Sequence, residues 1–154
     1  MSDDVNGIKV DDPQWRSLDR SLFENGKLLR HIYAETKASG ANYNQFLLFS
    51  CIRDTPFLAL CKSGGDISKK DFAVAELTSK TGAKYMPIFS DEDQIGATFE
   101  DFPDHVLLSF EECVTLAENA GLDIIIDAFS NQMLVPMSLA KKIVEIPTRI
   151  KEDA

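Results

Sequence analysis

Cys113, His105 and the carboxylates around them are the residue types of a thiol nucleophile, its base and an orienting acid. Their placement argues against that use. Cys113 shares a helical stripe with Phe110, Val114 and Ala117, where cysteine behaves as a small hydrophobe. Cys51 and Cys61 sit in equally apolar runs. Asp91, Asp93, Glu100, Asp101 and Asp104 offer the oxygen ligands that Ca²⁺ or Mg²⁺ takes, but without the EF-hand spacing or its glycine. Asp91 to Asp93, and Glu111 with Glu112, instead open expected helices, where the backbone dipole stabilises negative charge by about 0.3–1 kcal/mol each. "KSGGDISKK" has glycines and lysines but not the G-x-x-x-x-G-K-[ST] spacing of a phosphate cradle; it reads as a connection between strands. The expectation is no catalytic residue, no metal and no cofactor.

Asp127 is the residue with the most chemistry left to explain. It ends the apolar run Ile124-Ile125-Ile126, so its carboxyl is expected half-buried, with a raised pKa unless it is paired. The simpler reading is an Asx-type turn, its side chain bonding nearby backbone N–H groups.

The elements that must position these residues come from patterning. A chain of 154 residues suits one domain. No apolar run approaches the roughly 20 residues that span a bilayer, so no membrane partner is expected. "MSDDVNGIKV" lacks the basic start and apolar segment of a signal peptide, and three scattered cysteines suit a reducing compartment. A cytoplasmic protein is the expectation. Net charge is −9, and one block carries it: residues 85–140 hold 11 acidic and no Lys or Arg residues, whereas the segments on either side are each +1. Such a surface repels nucleic acid and attracts a basic protein.

"DDPQWRSLDRSLF" predicts a helix capped by Asp12, with Pro13 first and Trp15, Leu18, Leu22 and Phe23 on one stripe. Glu24-Asn25-Gly26 interrupts it, and Leu28, Leu29, Ile32 and Tyr33 resume it, giving two helices or one bent one. A helix over 43–53 and a strand over 56–62 follow. "FAVAELTS", "KTGA" and "KYMPIF" then read as strand, turn and strand, an antiparallel meander. Ser90 to Asp93 and Ser109 to Glu112 both match S-x-x-[DE] helix starts, with a short strand over 105–108 between them. The second helix ends at Gly121. The unalternating Ile124 to Ile126 reads as a central strand covered on both faces, hairpin-paired through Ser130-Asn131 with Met133 to Val135. Pro136 stops that strand, Ser138 caps the last helix, and "TRIKEDA" is expected to fray.

Tyr85, Pro87, Phe89, Ser90 and Glu92, a strand end running into an acidic helix start, together with the capped helix ending in Gly-Leu-Asp, the apolar strand, the Phe-containing turn and the final helix, resemble the SseB N-terminal domain family, known for its enhanced-serine-sensitivity members. The likeness spans roughly residues 43–146 and is best after Lys84. Where the family strand often ends in an Asn-Pro-Phe-like turn, this chain has Asp127, Ala128 and Phe129. The resemblance implies a fold and a binding role, and no catalytic motif.

The expected fold is therefore α+β, a mixed, mostly antiparallel sheet with helices packed on it and an N-terminal helical segment. One domain is expected over 13–147, between a flexible N-terminus (1–12) and a flexible tail (148–154). The expected function is a non-enzymatic cytoplasmic protein-interaction module with a basic protein partner, using Glu100, Asp101, Asp104, Asp127 and Phe129. A homo-oligomer is compatible with it. The alternatives are an immunity-type protein that neutralises a basic toxin and a small hydrolase or transferase with a site near Asp127.

Overall fold

The structure, a computed structural model, describes residues 4–5, 8–9, 16–39, 45–61, 75–95, 102 and 104–151. The chain folds as α+β. β1 (Asp4–Val5) and β2 (Ile8–Lys9) pair with each other; a 3-10 segment (Arg20–Gly26) leads into α1 (Lys27–Ser39), and α2 (Gln45–Asp54) follows. Then come β3 (Phe57–Cys61), β4 (Leu77–Thr78), β5 (Lys84–Phe89), a 3-10 turn (Glu92–Gln94), β6 (Asp104–Leu108), α3 (Phe110–Ala120), β7 (Asp123–Ile126), β8 (Met133–Val135) and α4 (Met137–Val144). Trp15 and the expected cap Asp12 lie outside the described residues; the first described helical turn starts later, capped by Asp19, whose side chain accepts from Ser21 N.

The sheet runs β6-β3-β5-β7-β8, with β4 also on β5. Tyr85 pairs with both Leu77 and Asp123, and Ile88 with both Ala59 and Ile126. β4 and β3 therefore lie end to end along one edge of β5, with β7 along the other. β4 and β5 form the antiparallel strand–turn–strand read from sequence, but the meander stops there: β3 pairs with the far half of β5 and not with β4, and β5 and β7 run parallel. Among the described residues, the other pairings between these strands are antiparallel, including the β7–β8 hairpin with Ile124 opposite Val135 and Ile126 opposite Met133.

One face of the sheet carries the helices. Phe57, Ala59, Met86, Ile88, Leu108, Ile124, Ile126, Met133 and Val135 point there and join Leu29, Ile32, Leu48, Ile52, Phe110, Cys113, Val114, Ala117, Ala140 and Ile143 in one core. Full burial of a side chain such as Ile124 or Ile126 contributes about 1.5–3 kcal/mol, more than any single capping bond here, so burial fixes the register of the hairpin. The opposite face is thinner. Leu60, Phe89 and Ala75 form a small cluster with Leu58, Ile95 and Phe102. Leu107 and Leu134 are 61% and 54% exposed on that side, and Ile125 is half-buried. The triple isoleucine is thus fully covered on one face only.

The ends of the elements differ from sequence expectation in three places. Ser109 makes the full capping box with Glu112, and Gly121 (φ 72°) closes α3 with bonds to Ala117 and Glu118, as read from sequence. Ser90 caps nothing: the 3-10 turn has Asp91 as N-cap and no side-chain cap bond. Ser138 does not cap α4 either; Asp123 Oδ1, on the neighbouring strand, accepts from Met137 N at 2.8 Å. The segment expected to fray is tied down through Lys151. Asp54 accepts from Thr148 Oγ1 (2.6 Å) and Arg149 N (2.8 Å), and Leu18 pairs in parallel with Ile150. Among the described residues, no helix is long and apolar enough to cross a membrane.

Candidate functional site

β5 and β7, being parallel, end side by side, which sets Ser90 against Asp127. Crevices at the carboxyl ends of parallel strands are where open sheets gather ligand-binding groups. Here the first layer is a closed polar lock. Asp127 is fully buried and Ser90 is 3% exposed. Ser90 N donates to Asp127 Oδ1 and Ser90 Oγ to Oδ2, each at 2.8 Å. Arg30 Nη1, from α1, donates to Ser90 Oγ (2.8 Å) and to Asn25 O (2.9 Å), and Arg30 Nη2 faces Asp91 Oδ2 at 3.2 Å. The other oxygen of Asp91 is buried and has no hydrogen-bond partner among the described residues.

The backbone is shaped around this lock. Asp127 has φ 54°, in the left-handed region that Asp tolerates better than most residues, and its carbonyl accepts from Ser130 N and Gln132 N. Asn25 and Gly26, at φ 59° and 64°, turn the 3-10 segment into α1. A Cβ on Gly26 would lie 2.3 Å from Ser90 Cβ, so only glycine lets that turn approach the lock. Burial pushes the Asp127 carboxyl up; the two Ser90 hydrogen bonds and Arg30 pull it back, and Asp91 raises it again. Its side chain therefore bonds across the sheet to Ser90, and the Asx-turn reading is corrected.

Beside the lock lies an open groove of about 620 Å³, within the roughly 300–1,000 Å³ of ligand pockets. Its sides are Glu24, Asn25 and Lys27 from the kink, and Ser90, Asp91, Glu92 and Asp93 after β5; Pro56, Leu58 and Leu107 complete it. His105 Nε2, on β6, lies 3.2 Å from Glu92 Oε1.

The residues expected to bind do not converge. Glu100 and Asp101 lie outside the described residues. Asp104 is exposed and pairs in register with Cys61 at the start of edge strand β6, three strands across the sheet from β7 and Asp127. Phe129 is 43% exposed and stacks on Phe89, with ring centroids 6.1 Å apart. Sequence reasoning missed Arg30 and Gly26 and gave Ser90 another role. The signal that could have found them was the parallel pairing of β5 with β7. The thiols are unsuited to nucleophilic chemistry: burial pushes Cys51 up to about 12, raises Cys113 further, and raises Cys61, with Asp104 adding to the last. His105, alternating with core-facing Val106 and Leu108, is on the other face of the sheet from Cys113. Among the described residues, no group of three or more His, Cys, Asp or Glu could hold a metal ion.

The model of the SseB protein N-terminal domain matches residues 31–139. The chain belongs to this family. The match takes in Ser90 and Asp127 and stops one residue short of Arg30, so the lock joins family positions to a flanking segment. No curated protein and no solved structure matches the chain.

Proposed function

We propose that this SseB-domain protein is a non-enzymatic protein-interaction module, working in the cytoplasm on a basic protein partner. The observation that carries the reading is what remains of the acidic block once its structural members are set aside. Asp127 and Asp91 belong to the lock, Asp123 and Glu112 cap helices, and Glu118 pairs with Lys141. Asp93, Asp104 and Glu111 stay exposed, with no ion-pair partner among the described residues, and Glu92 faces only His105. Carboxylates kept free of cations attract a basic surface and steer its approach over about a Debye length, roughly 8 Å at physiological ionic strength. Three free, buried cysteines suit a reducing compartment.

The test is to isolate a partner from the native host and measure association rates across a salt series. Glu100, Asp101 and Asp104 neutralised together should slow association with little loss of stability. A partner whose on-rate ignores both salt and the triple change would make the charge a solubility feature only.

A further inference from the structure

We propose that the groove beside the Ser90–Asp127 lock holds an extended peptide segment in which leucine-like and lysine-like side chains alternate. This rests on the interaction-module reading and specifies its site and ligand. Leu107 is 61% exposed and stands directly opposite Leu58 in the β3–β6 register, so the two make an apolar strip on the thinly covered face. A leucine left that open beside a cavity has surface to offer, and the occupant must bring apolar groups.

The charge beside the strip fixes the rest of the ligand. Arg30 already neutralises Asp91. Among the groove's lining residues, Glu24, Glu92 and Asp93 then stand against Lys27, three negative charges to one positive, and His105 on β6 adds a single imidazole beside Glu92. Glu24, Asp93 and Lys27 have no ion-pair partner among the described residues, so the groove carries a net negative charge that its own walls do not balance. An extended chain sends successive side chains to opposite sides. Leucines on one side can lie along Leu58 and Leu107 while lysines on the other reach Glu92 and Asp93. A polyamine satisfies only the charge, and a neutral apolar peptide only the strip. The lock supports this arrangement: it ties both Asp91 and the Asn25–Gly26 kink to Arg30, and so fixes the spacing of the two walls.

The probe is a short, end-blocked, dye-labelled peptide of alternating leucine and lysine, titrated against the full chain by fluorescence anisotropy. Two control peptides replace either every lysine or every leucine with serine, and spermine serves as a competitor. The expected result is saturable binding of the alternating peptide, with both controls weaker by about tenfold or more and spermine a poor competitor. Leu107→Ser should weaken binding about tenfold, as should Glu92→Gln combined with Asp93→Asn, with near-ultraviolet circular dichroism confirming that each variant is folded. Absence of binding overturns the proposal. Equal binding of the lysine–serine peptide also overturns it, as does full affinity in Leu107→Ser. The control peptides decide the matter on the unaltered protein should a variant fail to fold. A natural partner with salt-sensitive association that tolerates both variants would refute the groove and leave the module reading intact. Peptide binding in the groove, with a natural partner indifferent to salt, would do the reverse.

Discussion

At the scale of single residues, Asp127 decides how the end of the sheet is built. Replacing it with alanine strands the amide and hydroxyl of Ser90, both buried, at about 1–3 kcal/mol for each orphaned donor. Asp127→Ala should therefore cost roughly 2–6 kcal/mol in a urea titration at neutral pH. The pH dependence has an unusual sign. Because the folded carboxyl is raised above its ordinary 3.8, the folded state holds this proton at pH values where the unfolded state has released it. The stability that Asp127 contributes is thus greatest below 3.8 and falls as pH rises from there through the folded value, with a limiting slope of about 1.4 kcal/mol per pH unit. Asp127→Asn lacks this titration. Subtracting its stability–pH curve from that of the wild-type protein should leave a component that declines over that window. A difference that rises instead would mean that the hydrogen bonds and Arg30 outweigh burial.

At the scale of elements, the ends of helices separate what sequence can show from what it cannot. α3 carries its start and stop within itself: Ser109, Glu112 and Gly121 are local signals, and all three act as such. α4 is started by Asp123, fourteen residues back on a strand, because the β7–β8 hairpin folds that carboxylate over Met137 N. Ser138→Ala should accordingly leave thermal stability nearly unchanged, whereas Asp123→Ala should lose about 0.5–2 kcal/mol, the usual worth of an N-cap. Ser90 was misread for the same reason: its motif is local, but its partner comes from 37 residues away. The turn into α1 gives a second contrast. Gly26→Ala meets Ser90 at 2.3 Å as well as an unfavourable φ, whereas Gly121→Ala meets open space. The first should cost about 2–5 kcal/mol, combining strain with overpacking, and the second only about 1–2 kcal/mol. Equal melting temperatures for the two variants would show that the kink moves away freely.

For the whole molecule, α+β class, the stripes of α1, α3 and α4, the β7–β8 hairpin and the family were legible because each follows from short-range patterning. The stripe expected before Glu24 does not form, since Leu18 sits in a bridge with Ile150 and Leu22 is 47% exposed. Strand order was not. A parallel pair needs a crossover through β6 and α3, and nothing in Tyr85 to Ile88 names Asp123 to Ile126 as its neighbour. The candidate site stayed hidden for that reason: its lock is made by the crossover, and its groove by a kink, a strand end and one edge strand. The acidic block likewise looked like a single face in sequence, yet folding assigns many of its members to caps and pairs.

The clasp between the two ends of the described fold has a mechanical meaning. Leu18 takes one bond to Arg149 O (3.0 Å) and receives one from Lys151 N (2.8 Å), with the two segments running the same way. Pulled by its termini, a parallel pair is loaded along its strands, so both bonds resist together instead of opening one after the other. Stretched in an optical trap, the protein should therefore yield first at the clasp, paying out the flanking segments in a small early step. The sheet and its helices should rupture later, at higher force. Leu18→Pro, which removes the amide that bonds Arg149, should erase the early step and leave the later one in place.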